Sequence, residues 1–197
     1  MLELGVLISG SGTNLQAILD AIAAGTLDAK VSVVLSNIAS AQGLERAKKA
    51  GVPTVVIDHR GFLTRGEFDA SVVQALREHG VEWVVLAGFM RVLTPVLLDA
   101  FPMRVINVHP ALLPSFPGTH GARQAIDYGV RVAGCTVHLV DAGTDTGPIV
   151  AQAAVPVLAG DDEASLAARI LVEEHALLPK ALQWIAEGRM NVLAPAA

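Results

Sequence analysis

Leu4-Gly5-Val6-Leu7-Ile8-Ser9-Gly10-Ser11-Gly12-Thr13-Asn14 is the stretch whose reading decides the fold. A short apolar run ends in glycines, and residues 15–24 then place apolar side chains at helical spacing. Strand, tight turn and helix recur downstream. Residues 31–35 read as a second strand and 44–50 as its helix, with Gly51 placed to close it. Residues 54–57 and 67–78 repeat the pattern, closed by Gly80, and residues 83–87 and 104–108 give two further strands. Continuous β-branched runs separated by helices indicate a parallel sheet buried on both faces. The second half changes character. Residues 132–140 and 149–157 read as longer strands around a loop at 141–148, and a long amphipathic helix spans about 163–187. The expected fold is α/β, a mostly parallel twisted sheet with helices on both faces and a Rossmann-like N-terminal half. One domain is expected over residues 1–197, in halves of about 1–100 and 101–197, with Ala194–Ala197 a short frayed tail.

Composition narrows the function classes. Of the 197 residues 52% are hydrophobic and 17% charged, which excludes a disordered chain. Aromatic residues are only 4%, so the core must be built from Val, Leu, Ile and Ala. A formal charge of -5 offers no electrostatic footprint for nucleic acid or an acidic membrane surface. Mean hydropathy is +0.51, yet no apolar run reaches membrane-spanning length. The best candidate, residues 81–90, is broken by Glu82 and ended by Arg91. Cys135 is the only cysteine, so no internal disulfide can form. With no basic signal region at the N-terminus, a cytoplasmic protein is expected.

The turn Ser9-Gly10-Ser11-Gly12-Thr13-Asn14 has two readings. Glycines let backbone approach a ligand, and the first amides of the following helix are free donors in a favourable dipole, which suits a phosphate monoester. Equally, it is a tight strand-to-helix turn capped by Thr13 or Asn14. It is not a nucleotide P-loop, because no Gly-Lys-Ser/Thr follows. A dinucleotide fingerprint also fails: Leu15 holds the third-glycine position, and Ser36-Asn37 stand where an acidic ribose ligand is expected.

Val105-Ile106-Asn107-Val108-His109-Pro110 carries the second signal. Side chains alternate on a strand, so Asn107 and His109 share one face, roughly 6.6 Å apart along the chain. Both can reach one substrate atom, or they can merely satisfy loop backbone at a strand end. Asp145 lies in a glycine-containing loop, where it is either functional or a turn-forming residue. His109, His120, Cys135 and His138 invite a zinc reading. Alternation, however, sends Cys135 and His138 to opposite faces, so no metal is expected. Ser115 lacks the Gly-x-Ser-x-Gly elbow of an exposed nucleophile. Arg65 and Arg91 read either as solvated surface charges or as the cations best suited to an anionic ligand. Gly88-Phe89-Met90-Arg91-Val92-Leu93 leaves a buried strand and reads either as a hydrophobic turn or as the wall of a ligand cleft.

Taken together, these segments resemble the glycinamide ribonucleotide formyltransferases. The shared pieces are residues 7–18, Leu86-Ala87-Gly88-Phe89-Met90-Arg91, Asn107-Val108-His109-Pro110-Ala111-Leu112-Leu113-Pro114, residues 141–148 and Glu174-His175-Ala176-Leu177-Leu178-Pro179. The Asn-x-His-Pro-x-Leu-Leu-Pro block is common to formyltetrahydrofolate enzymes, and the Ser-Gly-x-Gly-x-Asn-Leu-Gln turn points to this family among them. The resemblance implies that Gly12, Thr13 and Asn14 hold a ribose phosphate and that Glu174 lies near the glycinamide. It implies that Met90, Arg91, Val92 and Leu93, with Asn107 and the Asp141–Asp145 loop, bind 10-formyltetrahydrofolate, and that Arg65 lies near the folate or the phosphate. Asn107, His109 and Asp145 become the catalytic group: Asn107 and protonated His109 stabilise a tetrahedral oxyanion, and Asp145 tunes His109. The Leu113–Pro114 bond is expected to be cis. Leu171 departs from the family pattern, standing where a longer polar residue often assists the phosphate, and Leu178 replaces a frequent aromatic. The implied partners are the two small molecules, with neither nucleic acid nor membrane, acting on a monomer or homodimer. A formyltetrahydrofolate hydrolase would use the same three residues with water as acceptor, and a non-catalytic sugar-phosphate module would keep only the turn.

Overall fold

The computed structural model describes residues 1–190; the tail expected at Ala194–Ala197 lies outside them. The first half alternates as its periodicity requires: β1 (Leu2–Ile8), α1 (Thr13–Ala23), β2 (Ala29–Ser36), α2 (Gln42–Lys49), β3 (Thr54–Val56), α3 (Arg65–Glu78) and β4 (Trp83–Leu86). It continues with α4 (Pro95–Ala100), β5 (Val105–His109), α5 (Gly121–Tyr128), β6 (Val132–Leu139), β7 (Ile149–Pro156) and α6 (Glu163–Ala186). The seven strands of the described residues form one sheet in the order β3-β2-β1-β4-β5-β6-β7. Pairing is parallel from β3 to β5 and antiparallel from β5 to β7.

Strand alternation sorts the apolar side chains into two layers. Leu4, Val6 and Ile8 of β1, Val85 of β4, and Ile106 and Val108 of β5 face a core closed by α1, α5 and α6. Leu7, Val33, Leu35, Val84, Leu86 and Val105 face a second core closed by α3 and α4. Asn107 and His109 share the face of Val105. Only the short helix α4 follows β4 before the chain enters β5, so that face is left open toward the C-terminal ends of the strands.

Two helices fall where the sequence carried little periodic signal. In α4 the start is set by Pro95 in the first turn, with Thr94 held by Asp69: its N–H and Oγ1 both donate to Asp69 Oδ2, at 2.6 and 2.7 Å. In α5 the only buried residues are Gly121, Ala122 and Ala125, between His120 and Gly129, both in the left-handed region. Neither Thr13 nor Asn14 caps α1. Gly12 is the N-cap, in the left-handed region (φ 68°), and no side chain caps the helix. By contrast, α3 and α6 start with full capping boxes, Thr64 with Glu67 and Asp162 with Ser165. Among the described residues no helix is long and apolar enough to cross a membrane.

Candidate active site

The strand order reverses between β1 and β4, and in an open α/β sheet the loops leaving such a pair enclose a crevice beyond the strands' carboxyl ends. Here those loops are the glycine-rich turn after β1 and residues 87–94 after β4. They are tied together through Ser9. Its N–H donates to the Gly88 carbonyl at 3.1 Å, its hydroxyl donates to Asn37 Oδ1 at 2.6 Å, and the Met90 N–H donates to that hydroxyl at 2.9 Å.

The turn is built by close backbone packing. A Cβ on Gly12 would lie 2.5 Å from Gly43 Cα in α2, so glycine is required here for space as well as for its positive φ. Asn14 faces inward, and its Nδ2 donates to Glu174 Oε2 at 2.7 Å. Both residues are buried, and Asn14 Oδ1 has no hydrogen-bond partner among the described residues. Burial pushes the Glu174 carboxyl above the usual range, opposed by the Asn14 bond. A cation that the sequence reading missed stands beside the turn. Arg46 Nε donates to the Ser11 carbonyl at 2.8 Å, and its Nη1 reaches Gln16 Oε1 at 3.3 Å. Thr13, Gln16, Asp20, Arg46 and His175 line an open hollow of about 410 Å³. Burial and then the Arg46 charge hold His175 below its ordinary value. Arg65, in contrast, is exposed in the first turn of α3 and lines none of the clefts described here.

Asn107, His109 and Asp145 do meet. His109 is buried, with Nδ1 3.4 Å from Asp145 Oδ2 and Nε2 2.9 Å from the Phe116 carbonyl. Asp145 Oδ2 also accepts the Gly118 N–H at 2.8 Å, and Oδ1 lies 3.6 Å from His138 Nε2. Asn107 Nδ2 stands 3.1 Å from that same His138 nitrogen. Asp145 holds φ 55°, an uncommon conformation for a residue with a Cβ. The loop around it closes because a Cβ on Gly147 would fall on the Leu139 carbonyl. Behind His109, Leu113–Pro114 is cis, as expected. Thr136 Oγ1 fixes that segment, donating to the Ala111 carbonyl at 2.7 Å and accepting the Leu113 N–H at 3.0 Å.

These three residues line a cleft of about 570 Å³ together with Met90, Arg91 and Val92, a volume suited to a small-molecule ligand. A smaller recess of about 130 Å³ shares Asn107 and Asp145 and extends past Leu93, His138 and Asp141. Met90 and Val92 are 72% and 59% exposed and form an apolar rim on the cleft. Arg91 packs 5.8 Å over the Phe68 ring, its Nε buried and unpaired among the described residues. Asp141 Oδ1 accepts the Thr146 hydroxyl at 2.7 Å and the Gly143 N–H at 3.0 Å, which shapes the loop.

Cys135 and His138 lie on opposite faces, as alternation requires. Cys135 is in the core beside Val137, and its thiol is pushed up to about 12, chiefly by burial and then by the Glu174 charge. Among the described residues no group of three or more His, Cys, Asp or Glu is arranged to hold a metal ion. His138 and Arg46 were not read as site residues. Both are brought to the site by the sheet: His138 lies opposite Asn107 in the β5–β6 ladder, and Arg46 lies on the helix that follows the strand next to β1.

Comparison with known proteins identifies the family. Residues 3–182 match the family model described as formyl transferase. The crystal structure of glycinamide ribonucleotide transformylase 1 from Symbiobacterium toebii superposes with a TM-score of 0.95 at 52% identity, covering 98% of this chain and 93% of that one. Phosphoribosylglycinamide formyltransferase of Mycobacterium tuberculosis is 47% identical over 191 residues, covering 97% of this chain and 88% of the relative. The trifunctional purine biosynthetic protein adenosine-3 of Drosophila pseudoobscura pseudoobscura is 48% identical over 191 residues, but this chain spans only 14% of its length. By the reach and identity of these matches, the chain belongs to the formyl transferase family, among the phosphoribosylglycinamide formyltransferases.

Proposed function

We propose that this chain, acting in the cytoplasm, transfers the formyl group of 10-formyltetrahydrofolate to the amino group of glycinamide ribonucleotide. The observation that carries the reading is the convergence of Asn107, His109 and Asp145 on one cleft, His109 Nδ1 lying 3.4 Å from Asp145 Oδ2. The apolar rim of Met90 and Val92, with Arg91, Leu93 and Asp141, suits a flat heteroaromatic ring with a polar edge. The first amides of α1 and the guanidinium of Arg46 suit a phosphate monoester. Glu174, held by Asn14, faces the glycinamide portion, so the halves of about 1–100 and 101–197 bring phosphate and folate to one crevice.

In the reaction the substrate amine attacks the formyl carbon, forming a C–N bond and placing negative charge on the formyl oxygen. Asn107 donates an N–H to that oxygen, and the His109 imidazolium stabilises the same charge. The bond from the formyl carbon to the folate nitrogen then breaks. The proton lost by the attacking amine reaches that nitrogen through His109 and a water positioned by Asp145. The residues needed are hydrogen-bond donors and proton carriers, and no covalent enzyme intermediate is required. Incubating the purified chain with both substrates should yield formylglycinamide ribonucleotide, and Asn107→Ala should lower its rate of formation by ~10²–10³, the usual effect of losing one oxyanion donor. A wild-type chain that forms no formylated amine would refute the reading.

A further inference from the structure

The amide of Asn107 has two possible orientations, and the reaction uses only one. We propose that His138 is the positioning residue that fixes it, accepting one Asn107 N–H on Nε2 and leaving the second N–H for the developing oxyanion. The proposal rests on the formyl-transfer reading for the use of that second N–H, and on geometry alone for the hydrogen bond.

Hydrogen-bond chemistry sets the direction of each link. His138 Nδ1 lies 2.9 Å from the Leu139 carbonyl. A carbonyl can only accept, so Nδ1 carries the proton. In the neutral ring Nε2 is then a bare acceptor, and the group 3.1 Å away must donate to it. Nδ2 of Asn107 does so. The reversed amide would set Oδ1 against the Nε2 lone pair, which is repulsive in a site this dry, since His138 is 1% exposed. Sheet register makes the contact obligatory: Asn107 and His138 are direct partners across the antiparallel β5–β6 ladder. The extra residue of the β6–β7 irregularity is Val150 in β7, so β6 keeps its alternation against β5 and His138 stays on the face of Asn107.

Protonation of His138 would reverse this arrangement. An Nε2–H would turn toward Asp145 Oδ1, 3.6 Å away, and could no longer accept from Asn107. Burial, the dominant influence, keeps the ring neutral and holds its pKa below the ordinary value, and the nearby charge of His109 acts in the same direction. The Leu139 carbonyl, Asp145 and Asp141 oppose it. The positioning role is therefore intact at neutral pH and is lost as pH falls through that depressed value.

Two measurements on the full chain test the proposal. In steady-state kinetics, His138→Leu should lower kcat by at least ~10-fold with both KM values within ~3-fold, because the lost interaction acts in the transition state. His138→Gln, whose Oε1 can accept the same N–H, should recover most of that kcat. Nitrogen-15 NMR of the imidazoles in the wild-type protein should show His138 with Nδ1 protonated and Nε2 bare at neutral pH. A ring protonated on Nε2, or a folded His138→Leu variant with wild-type kcat, would overturn the proposal. If the leucine variant does not fold, the NMR measurement decides by itself. A wild-type chain lacking formyl transfer would sink the reaction assigned above, yet the spectrum would still report whether His138 accepts from Asn107.

Discussion

His109 Nδ1 faces Asp145 Oδ2 at 3.4 Å while the ring's other nitrogen faces the Phe116 carbonyl at 2.9 Å. Both neighbours are acceptors. A neutral imidazole can donate to only one of them at a time. Asp145→Asn keeps the shape and an oxygen for the Gly118 N–H but removes the carboxylate charge beside the His109 ring. We expect kcat to fall by ~10² or more while the protein stays folded. Near-normal turnover in a folded Asp145→Asn variant would show that the carboxylate is only a loop fastener.

Glu174 makes a prediction in which stability and function oppose each other. Burial raises its pKa in the folded state, so the stability linked to its neutral form is present at low pH and lost as pH rises through the folded value. Glu174→Gln removes that penalty and preserves an oxygen for Asn14. Its Tm should exceed wild type at neutral pH by a few degrees, at ~2–4 °C per kcal/mol for a chain of this size. The gap should close on acidification, and affinity for glycinamide ribonucleotide should drop. Melting curves across pH check the sign, and a variant less stable than wild type at pH 8 would contradict it.

Arg46, bonded to the Ser11 carbonyl, is the cation placed to meet a phosphate at the glycine-rich turn. Arg46→Gln should raise KM for the phosphorylated substrate by ~10-fold and leave KM for the folate within ~2-fold, as expected for one lost charge-assisted contact. Arg65→Gln should have the smaller effect, because Arg65 is exposed away from the hollow. Gly12→Val is the wrong probe of the same turn. Its side chain would collide with Gly43 backbone, and we expect lost stability and weaker binding of both ligands.

Cys135 should be silent. With its thiol pushed up to about 12 and its side chain in the core, it should resist thiol reagents at pH 8 until the protein unfolds. Activity should likewise survive exhaustive chelation, because the site's imidazoles are engaged with a carbonyl, an amide and a carboxylate. Activity lost on chelation and restored by zinc would revive a metal role for His109 and His138.

Most of the frame was legible because its signals are local. Periodicity marked the strands, and alternation alone placed Asn107 and His109 on one face away from Ile106 and Val108. Helices α4 and α5 were not, because α4 owes its start to Asp69, 25 residues earlier, and α5 buries only small residues. The same limit hid parts of the site. Arg46 meets the turn, and His138 meets Asn107, through strand order and antiparallel register, which a linear reading does not contain. Gly12 was read as making room for a ligand, but Gly43 approaches it from a neighbouring helix.

The central claim is that this cleft passes a formyl group to an amine and not to water. The most direct measurement is the stoichiometry of tetrahydrofolate released to formylglycinamide ribonucleotide formed, with and without glycinamide ribonucleotide present. The account predicts one-to-one coupling and negligible release of tetrahydrofolate when the amine is left out. Rapid deformylation of the folate that is indifferent to the amine would contradict it and make water the acceptor.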